Sequence, residues 1–120
     1  MKVLVVDDSA VMRKMIINVL QQAGVTDVEQ ASNGAEAVEA VANGGEFGLI
    51  LLDWNMPVKS GIEALKEIRA GGCKTPVMMV TTESEKARVV EAIKNGANNY
   101  LVKPFTPAMI SQKIKETCGL

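Results

Sequence analysis

Histidine is absent from the 120 residues of this chain. With it go the histidine general base, the Ser-His-Asp and Cys-His nucleophile systems, and histidine-based metal sites. Cysteine is scarce: Cys73 and Cys118 stand far apart, without the paired spacing of a metal or redox motif. They read as free thiols of a reducing compartment, because a chain this long buries a core without a disulfide. Neither sign of charge dominates, with 13 Lys and Arg against 14 Asp and Glu, so there is no basic stripe for nucleic acid. No apolar run approaches the roughly 20 residues of a membrane span. Met1-Lys2 leads directly into Val3–Val6 and two acids, which is no signal peptide and points to the cytoplasm. What remains for chemistry is carboxylates, hydroxyls, lysines and a hard metal ion.

The rest of the composition is that of an ordinary globular protein, 48% hydrophobic and 22% charged, and its length fits one domain over residues 1–120. Continuous apolar runs at Val3–Val6, Leu49–Leu52, Val77–Val80 and Tyr100–Val102 read as strands buried on both faces of a parallel sheet. Val28–Gln30, polar on alternate positions, suits an edge strand. Between them lie amphipathic helices. Met12, Met15, Ile16, Val19 and Leu20 follow Ser9 as N-cap, and Asn33 with Glu36 forms a capping pattern before Ala37, Val38 and Val41. Ile62, Leu65 and Ile68 make a third face closed by Gly71-Gly72. Val90 and Ile93 mark the inner face of a fourth helix ending at Asn95-Gly96, with Val89 at its margin as a candidate partner contact. Thr106-Pro107 opens a fifth helix. Strand and helix alternating in this way predict an α/β fold: a five-stranded parallel sheet in flavodoxin-like order 2-1-3-4-5, with helices on both faces.

Ligands of such a sheet bind outside the carboxyl ends of the strands. Those ends carry Asp7-Asp8, Asp53, Thr81-Thr82 and Lys103-Pro104. The expected strand order gathers Asp7, Asp8 and Asp53 in one crevice, where three carboxylates repel unless a cation sits among them. An all-oxygen set without His or Cys favours Mg²⁺. Mg²⁺ and Lys103 facing a carboxylate and the Thr81 hydroxyl suit phosphoryl transfer, with Asp53 as in-line nucleophile. Asp8 is then the direct metal ligand, Asp7 stands behind it, and the main-chain carbonyl of Asn55 completes the set. Taken singly, Asp7-Asp8 reads as a helix cap, Asp53 as a turn residue, Thr81 as a cap hydroxyl and Lys103 as a solvated charge. Their joint occurrence at adjacent strand ends favours the site.

Val5-Val6-Asp7-Asp8-Ser9, Leu51-Leu52-Asp53-Trp54-Asn55-Met56-Pro57 with Gly61, Val80-Thr81-Thr82 and Lys103-Pro104-Phe105 resemble the receiver domain of bacterial response regulators across the whole chain. Within that family, Asp53–Pro57 and Tyr100 before Leu101–Thr106 are most similar to the stand-alone chemotaxis members. The resemblance implies phosphorylation of Asp53 by a chemotaxis-type sensor histidine kinase, with Mg²⁺ bound, and a cis Lys103-Pro104 peptide. Thr81 then moves to the phosphoryl group and Tyr100 packs inward behind it. The surface of helix 4, strand 5 and helix 5 changes its preference for a target, the flagellar motor switch protein in chemotaxis. Asn55, Thr82 and Glu83 tune phosphoryl lifetime, a partner phosphatase is possible, and a monomer is expected.

Three residues depart from the family pattern. Ser60 replaces the usual Asp or Asn before the glycine, Thr82 replaces a small residue and narrows access to Asp53, and Ser9 is polar where an aromatic is common. A phosphorelay intermediate serving a histidine phosphotransfer protein is the rival within the family. Outside it stand a haloacid-dehalogenase-type phosphatase, which would need Asp-x-Asp-x-Thr and a cap domain, a flavin carrier, and a non-phosphorylated interaction module.

Overall fold

The computed structural model describes residues 1–44, 46–81 and 86–118, with the Lys86 side chain outside that set. Five strands, β1 (Lys2–Val6), β2 (Asp27–Ala31), β3 (Leu49–Asp53), β4 (Val77–Thr81) and β5 (Asn99–Val102), alternate with five helices. These are α1 (Ala10–Gln22), α2 (Gly34–Ala42), α3 (Gly61–Ala70), α4 (Lys86–Lys94) and α5 (Pro107–Cys118). The sheet is parallel throughout, in the order β2-β1-β3-β4-β5. β2, whose polar residues are largely exposed, occupies an edge.

Strand alternation sends successive apolar residues to opposite faces. Val3, Val5, Leu49, Leu51, Met78, Val80 and Leu101 pack with Ile16, Val19 and Leu20 of α1 and Ile110 and Ile114 of α5. Leu4, Val6, Ile50, Leu52, Val77 and Met79 pack on the other face with Ala37, Ile62, Leu65, Ile68 and Ala92. These strands have no solvated face, which is why their sequences read as unbroken apolar runs.

Side chains fix where four helices begin. Ser9 Oγ accepts from Met12 N at 3.2 Å, and Asn33 Oδ1 accepts from Glu36 N at 2.9 Å. Ser60 Oγ accepts from Glu63 N at 3.4 Å, and Thr106 Oγ1 from Met109 N at 3.2 Å. Ser60, which the sequence marks only as a departure, is therefore the N-cap of α3, with Glu63 accepting from its hydroxyl at 3.0 Å.

One sequence reading is overturned. Val90 and Ile93 do not face inward: they are 42% and 49% exposed, and among the described residues of α4 the buried one is Ala92. Ala92 packs into the core, and since each residue step turns the helix by about 100°, Val90 and Ile93 are carried away from that line.

Candidate functional site

The chain turns sharply after β1, and hydrogen bonds set the turn. Asp7 N donates to Ala31 O at 3.2 Å, and Ser9 N donates to Asp7 Oδ1 at 2.9 Å. Arg13, one turn into α1, donates from Nη1 to Asp7 O at 2.5 Å and from Nε to Gln30 Oε1 at 2.9 Å. Sequence reasoning misses Arg13, because a charge beside an apolar stripe looks like the solvated face of a helix. Its position one turn past the Ser9 cap, within reach of the acid turn, is the only signal it leaves.

At the end of β3, Trp54 N donates to Val80 O at 2.8 Å, and Gly61 N returns to Trp54 O at 2.8 Å. The loop thus folds back onto Asp53. A Cβ at Gly61 would collide with the Asp53 carbonyl, so only glycine permits this closure. Val58, at the loop tip, takes a φ of 68° and is 82% exposed, an unusual conformation for a β-branched residue. Lys103 follows β5, anchored by its N–H to Thr81 O at 2.7 Å, and the Lys103-Pro104 peptide is cis.

These turns bring together three carboxylates predicted as neighbours: oxygens of Asp7, Asp8 and Asp53 lie within 4.8 Å of one another. Asp7 and Asp53 are buried, 1% and 3% exposed, while Asp8 faces solvent. Lys103 Nζ reaches Asp7 Oδ2 at 3.0 Å and Asp53 Oδ1 at 3.5 Å. Burial and the charge of Asp7 raise the Asp53 pKa from 3.8 to about 6, against the opposing effect of Lys103, with Asp8 adding a smaller push upward. For Lys103, burial opposes the ammonium. The hydrogen bond to Asp7 and the charges of Asp53 and Asp7 outweigh it and hold the pKa above the usual lysine value. One ammonium offsets one of three clustered carboxylates, so the pocket keeps an excess of negative charge. An oxygen-only donor set of this kind fits a hard divalent cation.

Thr81 is buried at the end of β4, between β3, which ends in Asp53, and β5, which leads to Lys103. Asn55 is exposed on the loop after Trp54. A family model described as the response regulator receiver domain matches residues 3–115. This chain belongs to that family.

Among relatives of this receiver, chemotaxis protein CheY1 of Helicobacter pylori (strain J99) is 43% identical over 121 residues, covering 99% of this chain and 98% of its own. The chemotaxis protein CheY homolog of Campylobacter jejuni (strain 81-176) is 44% identical, covering 99% of this chain and 93% of its own. Among solved structures, the chemotaxis response regulator CheY4 of Vibrio cholerae superposes with a TM-score of 0.88 at 40% identity, covering 97% of each chain. The receiver domain of Francisella response regulator 1452 gives 0.89 at 30% identity, covering 98% of this chain and 96% of the other.

In this receiver, Tyr100 is half-buried on β5 and packs against the core that includes Trp54 and Ala92. Strand alternation and the pairing of Met79 with Tyr100 place it on the same sheet face as Thr81. Trp54 is 5% exposed, with the Arg88 guanidinium carbon of α4 5.1 Å from its ring centroid. Lys113 of α5 lies over Tyr100. Neither ring contact is readable from sequence, since nothing in the chain marks which cation meets a ring. Thr82 and Glu83, predicted to tune phosphoryl lifetime, lie outside the described residues. Cys73 and Cys118 are free and half-buried, and burial pushes the Cys118 thiol up. Among the described residues, no helix is long and apolar enough to cross a membrane.

Proposed function

We propose that this chain is a receiver that accepts a phosphoryl group on Asp53 and switches its α4-β5-α5 surface toward a target. The donor is a phosphohistidine of a chemotaxis-type sensor kinase. One Asp53 carboxylate oxygen forms the O–P bond as the N–P bond of the donor breaks, and the imidazole leaves with the electron pair. Asp7, Asp8, Asp53 and the main-chain carbonyl of Asn55 would hold Mg²⁺. When bound, that ion supplies charge neutralisation for the phosphoryl oxygens.

The chain's own groups do the rest. Lys103, already between Asp7 and Asp53, pairs with a phosphoryl oxygen, and the Thr81 hydroxyl donates to another. Tyr100 then packs inward behind Thr81. The receiver turns over no outside substrate, and its reactions are its own phosphorylation and dephosphorylation, tuned by Asn55, Thr82 and Glu83. Its partners are the kinase, a flagellar motor switch protein and a phosphatase, met as a cytoplasmic monomer. Val90, Ile93 and Met109, exposed on α4 and α5, support the placement of the target surface.

The observation that carries the reading is the Asp53 carboxylate: buried, its proton affinity raised, and within 3.5 Å of Lys103 in a three-acid pocket. Trp54, the chain's only tryptophan, reports on it. Titration with Mg²⁺ and then beryllofluoride should change Trp54 fluorescence saturably, with the beryllofluoride step requiring Mg²⁺ and disappearing in Asp53→Asn. A folded parent silent to both ligands would reduce the protein to an interaction module.

A further inference from the structure

Tyr100 sits on the last strand of the sheet, and its ring is only half-buried against the core on the α4 side. α5 packs on the opposite face, through Ile110 and Ile114. Lys113 lies between those two residues, and its long stem reaches around the sheet edge. Its Nζ comes to rest 5.0 Å from the Tyr100 ring centroid, inside the roughly 6 Å reach of a cation–π contact. Among the described residues, the other charged partner of this ammonium is Glu116, 3.8 Å away on the same helix and 48% exposed. An exposed pair at that distance holds little. The ring is the better-sheltered partner.

We propose that Lys113 is a positioning residue for the switch: its ammonium holds the Tyr100 ring in its present half-buried place, and inward packing of the ring must break that contact. The inference rests on the phospho-switch reading, in which Tyr100 has two places. A contact made in only one of them biases the equilibrium by its own strength, about 2- to 5-fold for a partly exposed cation–π pair. Any ligand that selects the inward ring meets the same factor as a loss of affinity. Lys113 therefore sets the threshold of the switch without touching the phosphoryl pocket.

Tyr100 is the chain's only tyrosine, so 3-fluorotyrosine labelling gives a single ¹⁹F reporter. The spectrum is recorded for the parent, Lys113→Met and Lys113→Arg, without ligand and with Mg²⁺ and beryllofluoride. Met keeps the stem and removes the charge, whereas Arg retains the cation. In the ligand-free Met variant, the ring population should shift about 2- to 5-fold toward the beryllofluoride-bound resonance. Beryllofluoride, followed by Trp54 fluorescence, should bind more tightly by up to the same factor, and Arg should behave as the parent. A Met variant matching a responsive parent in both readouts overturns the role of Lys113. So does a ring shift without an affinity change. A parent that ignores beryllofluoride overturns instead the phospho-switch reading itself.

Discussion

Helix α1 puts Ile16, Val19 and Leu20 against the sheet and closes its first turn with Ser9, whereas α4 buries Ala92 and leaves Val90 and Ile93 largely in solvent. Both sequences contain enough β-branched and aliphatic residues to cover a sheet. α1 spends them on the core, and Arg13 adds a tie to the Asp7 turn. α4 is held by a small residue, by Arg88 over Trp54, and at its far end by Arg69, whose Nη2 donates to Gly96 O at 2.8 Å. The difference teaches that the two sides of the pocket have different duties. The α1 side keeps the acids where they are, and the α4 side leaves apolar surface exposed, on the face proposed to meet a target.

The largest expected effect lies on the anchored side. Leu20 is fully buried, so Leu20→Ala removes core contacts and leaves a cavity, costing about 2–5 kcal/mol in urea unfolding. A cost under about 1 kcal/mol would mean that α1 is no better anchored than α4, and the contrast between them would fail.

The pocket between the two helices gives the next effect. The Asp53 pKa is raised from 3.8 to about 6, so the folded protein binds this proton more tightly than the unfolded chain. Stability from this group is present in full below about pH 4 and is lost as pH rises through about 6. The full shift corresponds to something on the order of 3 kcal/mol. Asp53→Asn, which cannot ionise, should be more stable than the parent at pH 7 by on the order of 1–3 kcal/mol, and the two should converge at pH 4. Saturating Mg²⁺ should narrow the gap at pH 7 by neutralising the parent's acids. Thermal melts at the two pH values check this, and a gap independent of pH would remove Asp53 as the strained charge of the site.

Much of the fold and of the acid site is legible in the sequence. Buried parallel strands write themselves as Val3–Val6 or Leu49–Leu52, and once their order is inferred, Asp7, Asp8, Asp53, Thr81 and Lys103 must converge at one edge. Caps such as Ser9 and Asn33 are legible because capping is a local hydrogen bond. α4 is not, because apolar periodicity reports only that a face exists and is silent on whether core or partner covers it. Ala92 carries almost no hydrophobic signal and yet faces the core. Arg13, Arg88 and Lys113 are illegible for another reason: a cation looks the same in sequence whether it meets water, a carbonyl or a ring.

The smallest effect on stability, and the sharpest on function, belongs to Ile93. At 49% exposure it makes few contacts that unfolding would lose, so Ile93→Ser should change stability by no more than about 0.5 kcal/mol. If α4 holds its apolar face for a target, the same substitution should weaken binding of the phosphorylated or beryllofluoride-bound protein to the proposed target, a flagellar motor switch protein, by about tenfold or more, as truncation of an interface hot spot does. Phosphorylation of Asp53 should proceed at the parent's rate, since Ile93 touches none of the pocket. The two readouts separate the cases. Lost stability with unchanged binding would show that Ile93 belongs to the core after all and that α4 is anchored like α1. Unchanged stability with unchanged binding would move the target surface off this part of α4, leaving Met109 on α5 as the exposed apolar residue to test next.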